Sequence, residues 1–207
     1  EPIDAVRYVG NRSSGRMGFA IAEAAAALGA DVTVVAANVA LPRAAAVRYV
    51  DVETAAELAA ACAREFDSAD VLVMSAAVAD FRPSAPVAGK QKKEGLERLT
   101  IELEATEDVL AGLSARRSPG QVLIGFAAEH GPGAIAFARE KRIRKGLDAV
   151  VVNDVSQPGI GFDSSENAVT IITAADEVTV DRSGKDVVAR KILEVAADLL
   201  ERTDHER

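Results

Sequence analysis

Apolar positions along the chain change period repeatedly, and each change marks an element. Residues 19–28 are almost wholly Ala, Ile and Leu and end at Gly29, which predicts a buried helix with a glycine C-cap. Val32-Thr33-Val34-Val35 is β-branched and predicts a strand, with a second at 47–52 after the turn at Pro42. Thr54 followed by Glu57 is a capping-box pattern opening a helix over 54–66. The continuous apolar runs at 71–75, 122–127 and 149–152 predict strands buried on both faces, as in a parallel sheet. Between them the pattern predicts a strand at 99–103, a helix at 106–113 capped by Thr106, and a helix at 133–145. A hairpin of 168–172 and 177–180, joined by Ala174-Ala175-Asp176, then leads to an amphipathic helix at 187–200 and a frayed end.

This alternation implies an α/β fold: a Rossmann-like doubly wound, mostly parallel sheet with helices on both faces, closed by a β-hairpin plus helix. One interval breaks it. Residues 82–98 carry Pro83, Pro86, Gly89, Gly95 and the run Lys90-Gln91-Lys92-Lys93, which predicts a flexible flap. With 207 residues, a single domain over 1–207 is expected. The chain opens at Glu1 with no strand ahead of its first loop, so its first strand is expected upstream. A net charge of -8 and a pI near 4.9 argue against nucleic-acid partners and membrane-surface binding, so any anion must be met by local basic clusters. The single Cys62 has no intrachain disulfide partner and fits a cytoplasmic setting. Neither a membrane span nor a signal peptide is expected.

The stretch Gly10-Asn11-Arg12-Ser13-Ser14-Gly15-Arg16-Met17-Gly18 passes from a loop into the first helix. Its hydroxyls and glycines expose backbone N–H groups where the helix dipole favours negative charge, and Arg12 and Arg16 add full charge. It reads as an anion cradle, or as a well-capped helix with Ser13 or Ser14 at the N-cap. It is not a P-loop, because Arg16 and Met17 stand where Lys and Ser/Thr are required. A dinucleotide fingerprint also fails: the glycine spacing is wrong, and Asp31 opens the second strand instead of closing it.

In doubly wound sheets ligands lie beyond the carboxyl ends of the strands, which places Ala76-Ala77-Val78-Ala79-Asp80 and the Phe126 segment at a candidate site. Phe126 offers an aromatic face or a core side chain, and Glu129 and His130 follow it. No second His or Cys lies at metal-ligand spacing, so no zinc site is expected. Lys141 and Lys145 stand one turn apart near a helix end, serving an anion or the helix dipole.

Five ordered stretches together resemble one family. They are Asp4-Ala5-Val6-Arg7-Tyr8 running into 11–18, Ala76 to Pro83, Lys90-Gln91-Lys92-Lys93, Gly125-Phe126-Ala127-Ala128-Glu129, and Asn153-Asp154-Val155-Ser156. The chain resembles the phosphopantothenoylcysteine synthetase domain of bacterial bifunctional coenzyme A biosynthesis proteins, from residue 1 to about 200. It departs where the family has His and Lys at Arg12 and Arg16, an apolar residue at Gln91, and Asn-Pro-Asp at Thr106-Glu107-Asp108.

The resemblance implies a ligase that joins 4′-phosphopantothenate to L-cysteine through an acyl-cytidylate, with CTP as co-substrate and Mg2+. It implies catalytic roles for Asn11 and Lys90, and substrate binding by Asn11 and Arg7. Nucleotide contacts are implied for Ser13, Ser14 and Gly15, for Ala76, Ala77, Val78 and Asp80, and for Lys90. Further ones are implied for Gly125, Phe126, Ala127 and Ala128, and for Lys141 and Lys145, with Asp80 also the metal contact. It further implies a homodimer, and a flavin-dependent decarboxylase domain upstream. An NAD(P)-binding oxidoreductase or a non-catalytic nucleotide-binding module is the competing class.

Overall fold

The computed structural model describes residues 1–94, 97–129, 131, 133–154 and 164–205. His130, Val155 and Ser156, Gly95 and Leu96 of the expected flap, and the terminal residues 206–207 lie outside the described residues.

The chain forms α1 (Arg16–Ala27), β1 (Thr33–Ala37), β2 (Arg48–Val52), α2 (Ala55–Phe66), β3 (Val71–Met74) and β4 (Phe81–Pro83). It continues through β5 (Leu103–Ala105), α3 (Val109–Arg116), β6 (Val122–Glu129), α4 (Ala134–Arg144) and β7 (Ala149–Asp154). It ends in β8 (Glu166–Ile172), β9 (Glu177–Gly184) and α5 (Lys185–His205). Five strands form one sheet in the order β3-β6-β7-β8-β9. Its β3–β6 and β6–β7 joins are parallel, and β7–β8 and β8–β9, the predicted hairpin side, are antiparallel. β1 and β2 make a separate parallel pair.

Alternation along the central strands sorts the core into two layers. Val122, Ile124, Ala149, Val151 and Ile171 pack with Ile21 of α1 and Val188 and Ile192 of α5. Leu123, Val150, Val152 and Ile172 pack on the other face with Leu58 and Phe66 of α2, Leu110 and Leu113 of α3, and Ala138 of α4. Helices therefore cover both faces, which is why the strands read as unbroken apolar runs. Each large side chain so buried contributes about 1.5–3 kcal/mol.

Three expectations shift. The helix expected from 106 begins at Val109 with Asp108, not Thr106, as its N-cap, accepting from the Ala111 amide at 3.1 Å. Thr106 instead donates its hydroxyl to the Ala79 carbonyl at 2.5 Å and its N–H to the Asp80 carbonyl at 3.0 Å. The strand expected at 99–103 pairs at 103–105, where β5 runs antiparallel to β4 and ties down both ends of the insertion. Finally, α5 is helical from residue 185 through 205, longer at both ends than the 187–200 expected.

The capping signal at α2 holds, with the Thr54 hydroxyl accepting from the Glu57 amide at 3.2 Å. The Glu57 carboxylate reaches back to the Glu53 amide at 2.7 Å, one residue before the usual box partner. Among the described residues no helix is long and apolar enough to cross a membrane.

Candidate active site

Beyond the carboxyl ends of β3, β6 and β7 lies a cleft of about 560 Å³, walled by the start of α1 and by residues of α3 and α4. One wall is the glycine-serine loop. The N-cap of α1 is Gly15, with φ of 73°, and among the described residues it carries no side-chain cap bond. The well-capped alternative with Ser13 or Ser14 at that position does not hold. Ser13 instead accepts from the Gly15 amide at 3.3 Å, so its oxygen stays in the loop that borders the cleft. A Cβ on Gly15 would lie 2.7 and 2.8 Å from the two Val39 methyls, and one on Gly18 2.6 Å from the Ser75 hydroxyl. Glycine at both positions lets the first turn of α1 sit directly against the ends of β1 and β3.

The Asn11 side-chain amide donates to the Val78 carbonyl at 2.8 Å, joining this loop to the one after β3. Ala76 and Ala77 are exposed on the cleft, and Val78 and Asp80 line it beside them. Small side chains there leave backbone groups open to a ligand.

The opposite wall is basic. Lys141 donates to the Phe126 carbonyl at 2.8 Å, and Lys145 pairs with Asp108 at 2.7 Å. Burial, helped by the neighbouring Lys145, holds the Lys141 ammonium below the usual lysine range. Burial pushes the Asp108 carboxyl up, but Lys145 and the Ala111 amide outweigh it and leave the group below its ordinary value. Arg12, Arg16, Lys141, Lys145 and Lys185 face Asp80, Glu107, Asp108 and Glu129 around the cleft, so it is not acidic although the chain is. Phe126 and Ala128 complete this side.

Two residues expected here stand behind the cleft. Gly125 is buried, and a Cβ on it would lie 2.8 Å from Leu147 and 2.9 Å from Leu110, so this glycine serves close packing of β6. Ala127 is core. Arg7 and Lys90 line a second groove of about 570 Å³ with Lys92, Lys93 and Arg98, apart from the cleft that holds Asn11, Ser13, Ser14 and Gly15.

The structure also places one further motif residue here and brings in two that no motif marked. Asn153 lines the cleft at the end of β7. Asn167 on β8 and Lys185 at the start of α5 are both buried and line it as well. The Asn167 amide reaches the Met17 sulfur at 3.9 Å, and Lys185 donates to the Ser164 carbonyl. One signal was present: a lysine opening a helix stands where the dipole disfavours a cation. Among the described residues no three His, Cys, Asp or Glu side chains gather as a metal site.

Comparison with known proteins places the chain in a family. The model of the DNA/pantothenate metabolism flavoprotein C-terminal domain matches residues 1–200. The chain is 44% identical over 211 residues to the coenzyme A biosynthesis bifunctional protein CoaBC of Mycobacterium tuberculosis, covering 97% of this chain and 50% of that protein. It is 40% identical over 196 residues to the CoaBC of Escherichia coli, covering 94% of this chain and 48% of that protein. It thus spans about half the length of the curated relatives it matches. A crystal structure of the C-terminal domain of CoaBC superposes with a TM-score of 0.82 at 35% identity, covering 98% of this chain and 91% of that one. With a family model matched over residues 1–200, relatives at 40 and 44% identity and a shared fold, this chain belongs to the family of the DNA/pantothenate metabolism flavoprotein C-terminal domain.

Proposed function

We propose that this chain is the ligase of coenzyme A biosynthesis that joins 4′-phosphopantothenate to L-cysteine, with CTP as co-substrate. The carrying observation is one cleft that combines an uncapped helix mouth, a backbone-open alanine loop and two lysines. A nucleoside triphosphate needs those three features: amides and cations for phosphates, and an unobstructed surface for base and ribose. Ser13, Ser14 and Gly15 take phosphate, Lys141 and Lys145 balance the charge that grows on the leaving pyrophosphate, and Phe126 with 76–78 frames the base.

The substrate carboxylate attacks the α-phosphorus of CTP, and the bond to pyrophosphate breaks. The cysteine amine then attacks the acyl carbon, CMP leaves with the bonding pair, and the amine proton passes to solvent. Asn11, a neutral amide already anchored on Val78, polarises the acyl carbonyl without protonating the incoming amine. Mg2+ fits as a cation that arrives with the phosphates, with Asp80 as the protein contact. Such cations are held by one or two carboxylates plus substrate oxygens. Bound there, it supplies charge stabilisation to the phosphates.

Lys90 and Arg7 belong to the same chemistry in a homodimer, where Lys90 serves the cleft of the second copy. Its place outside its own cleft supports this, as do the exposed Val6 and Tyr8 on the neighbouring segment. The reaction is cytoplasmic, in keeping with a lone buried thiol at Cys62.

The test is pyrophosphate release from phosphopantothenate and CTP or ATP, with and without cysteine, beside equilibrium binding of NADPH against CTP. Release with CTP that precedes and does not require cysteine is expected. No release with any nucleoside triphosphate overturns the proposal.

A further inference from the structure

The carboxylate of Asp4 is completely buried, yet it lies outside the cleft and has no part in the proposed chemistry. It accepts from the Val6 and Arg7 amides at 2.8 Å each, from Arg7 Nε at 2.9 Å and Nη2, and from the Gln91 amide at 3.2 Å. Arg7 Nη2 also donates to the Gln91 carbonyl at 3.1 Å. Both backbone groups of Gln91 are therefore held by one ion pair, 84 and 87 residues away in sequence. A further bond from the Val87 amide to the Ile3 carbonyl at 3.0 Å, with an Asp4–Val87 bridge, lays residues 3–7 along 87–91.

An exposed ion pair would fix little, because solvent screens it and both side chains remain free. Here the carboxylate is buried and saturated with donors, and the guanidinium is half exposed with its fork engaged. The arginine fork holds the Asp4 carboxyl far below the usual carboxylate range, so the clamp persists throughout neutral pH. Lys90 is the residue next to the clamped peptide, and its own side chain is exposed. Its backbone is fixed while its ammonium reaches outward.

We propose that Asp4 is a positioning residue for Lys90, acting through Arg7 and the Gln91 peptide. The inference rests on the catalytic role proposed for Lys90, and it concerns where that lysine is held, not whether it reacts. Arg7 thereby gains a second role, since most of its fork is turned on the protein and its position decides the path of residues 87–91.

Hydrogen–deuterium exchange on the intact chain separates the two claims. In D4N, exchange in peptides spanning 84–94 rises by about 10-fold, the loss of roughly one net hydrogen bond's protection, while peptides of β6 and β7 keep their wild-type rates. R7K gives the same local loosening if D4N does not fold, since it breaks the fork but leaves Asp4 its amide donors. Q91A keeps both backbone bonds and leaves exchange unchanged. In pyrophosphate release, D4N lowers kcat by about 10-fold or more and weakens CTP binding by less than that, because the clamp reaches the nucleotide only through Lys90. Wild-type exchange over 84–94 in folded D4N and R7K overturns the proposal, as does a loosened segment with wild-type kcat. Loosened exchange in a protein whose wild type releases no pyrophosphate leaves the clamp standing and removes the reaction instead.

Discussion

Gly15→Ala is the most informative single change at the mouth of α1. At φ of 73° an L side chain is strained by roughly 1–2 kcal/mol. The new methyl also meets the stiff, β-branched Val39 at 2.7 and 2.8 Å, and crowding of that kind costs about 1–3 kcal/mol. Reduced freedom of the unfolded chain returns about 0.4–1 kcal/mol. The net expectation is a destabilisation of about 1–5 kcal/mol, read by urea denaturation as a lower midpoint at constant slope. The two contributions separate in a double-mutant cycle. Val39→Ala on the Gly15→Ala background relieves the contact but not the backbone strain, so a coupling of about 1–2 kcal/mol is expected. CTP affinity falls in Gly15→Ala and recovers only partly in the pair, because the amides of the first turn stay displaced. Additive effects of the two substitutions would refute the steric reasoning, and unchanged stability in Gly15→Ala would refute both parts.

Three further outcomes follow from the opposite wall and from Lys90. Burial and Lys145 depress Lys141, and its ammonium is the form that holds an anion, so CTP affinity falls as pH rises through a value below the ordinary 10.5. Calorimetric titration against pH should show this limb in the wild type and not in Lys141→Met; affinity that stays flat up to the usual lysine range contradicts it. Asp108→Asn keeps the α3 cap and frees Lys145, whereas Asp108→Ala also costs about 1 kcal/mol of stability. Thermal melts that fail to separate the two variants would deny the capping role. If Lys90 serves the second copy's cleft, mixing inactive Asn11→Asp and Lys90→Gln chains restores about a quarter of wild-type activity, from one intact site in each half-population heterodimer; a mixture that stays inactive after verified subunit exchange argues for action within one chain.

The strands were legible because burial on both faces leaves a run such as Val150-Val151-Val152 without polar interruptions. The start of α3 was not. Thr106 and Asp108 are both acceptable caps, and what decided between them was the Ala79 carbonyl, which captures the Thr106 hydroxyl across 27 residues of sequence. Similarly, the strand expected at 99–103 slid to 103–105 because its partner is the short β4, a pairing that no local propensity encodes. At the site, Ser13–Gly15 as a loop, and Lys141 with Lys145, stand out through glycine, hydroxyl and charge spacing, whereas Asn11 was marked only by the family resemblance. Asn167 and Lys185 did not, since the sheet brings β8 and α5 under α1 only in three dimensions. Gly125 shows the reverse: its place in a motif reads as ligand contact, while its surroundings require a residue without a Cβ for packing.

The central claim is that the mouth of α1 holds the triphosphate of the co-substrate between the serine-glycine loop and the two lysines. A crystal structure with CTP and Mg2+ tests it most directly. The account predicts phosphate oxygens on the Ser13 to Gly15 loop, with the base beside Ala76 to Val78 and Phe126. A nucleotide bound elsewhere, with that mouth unchanged, would contradict it.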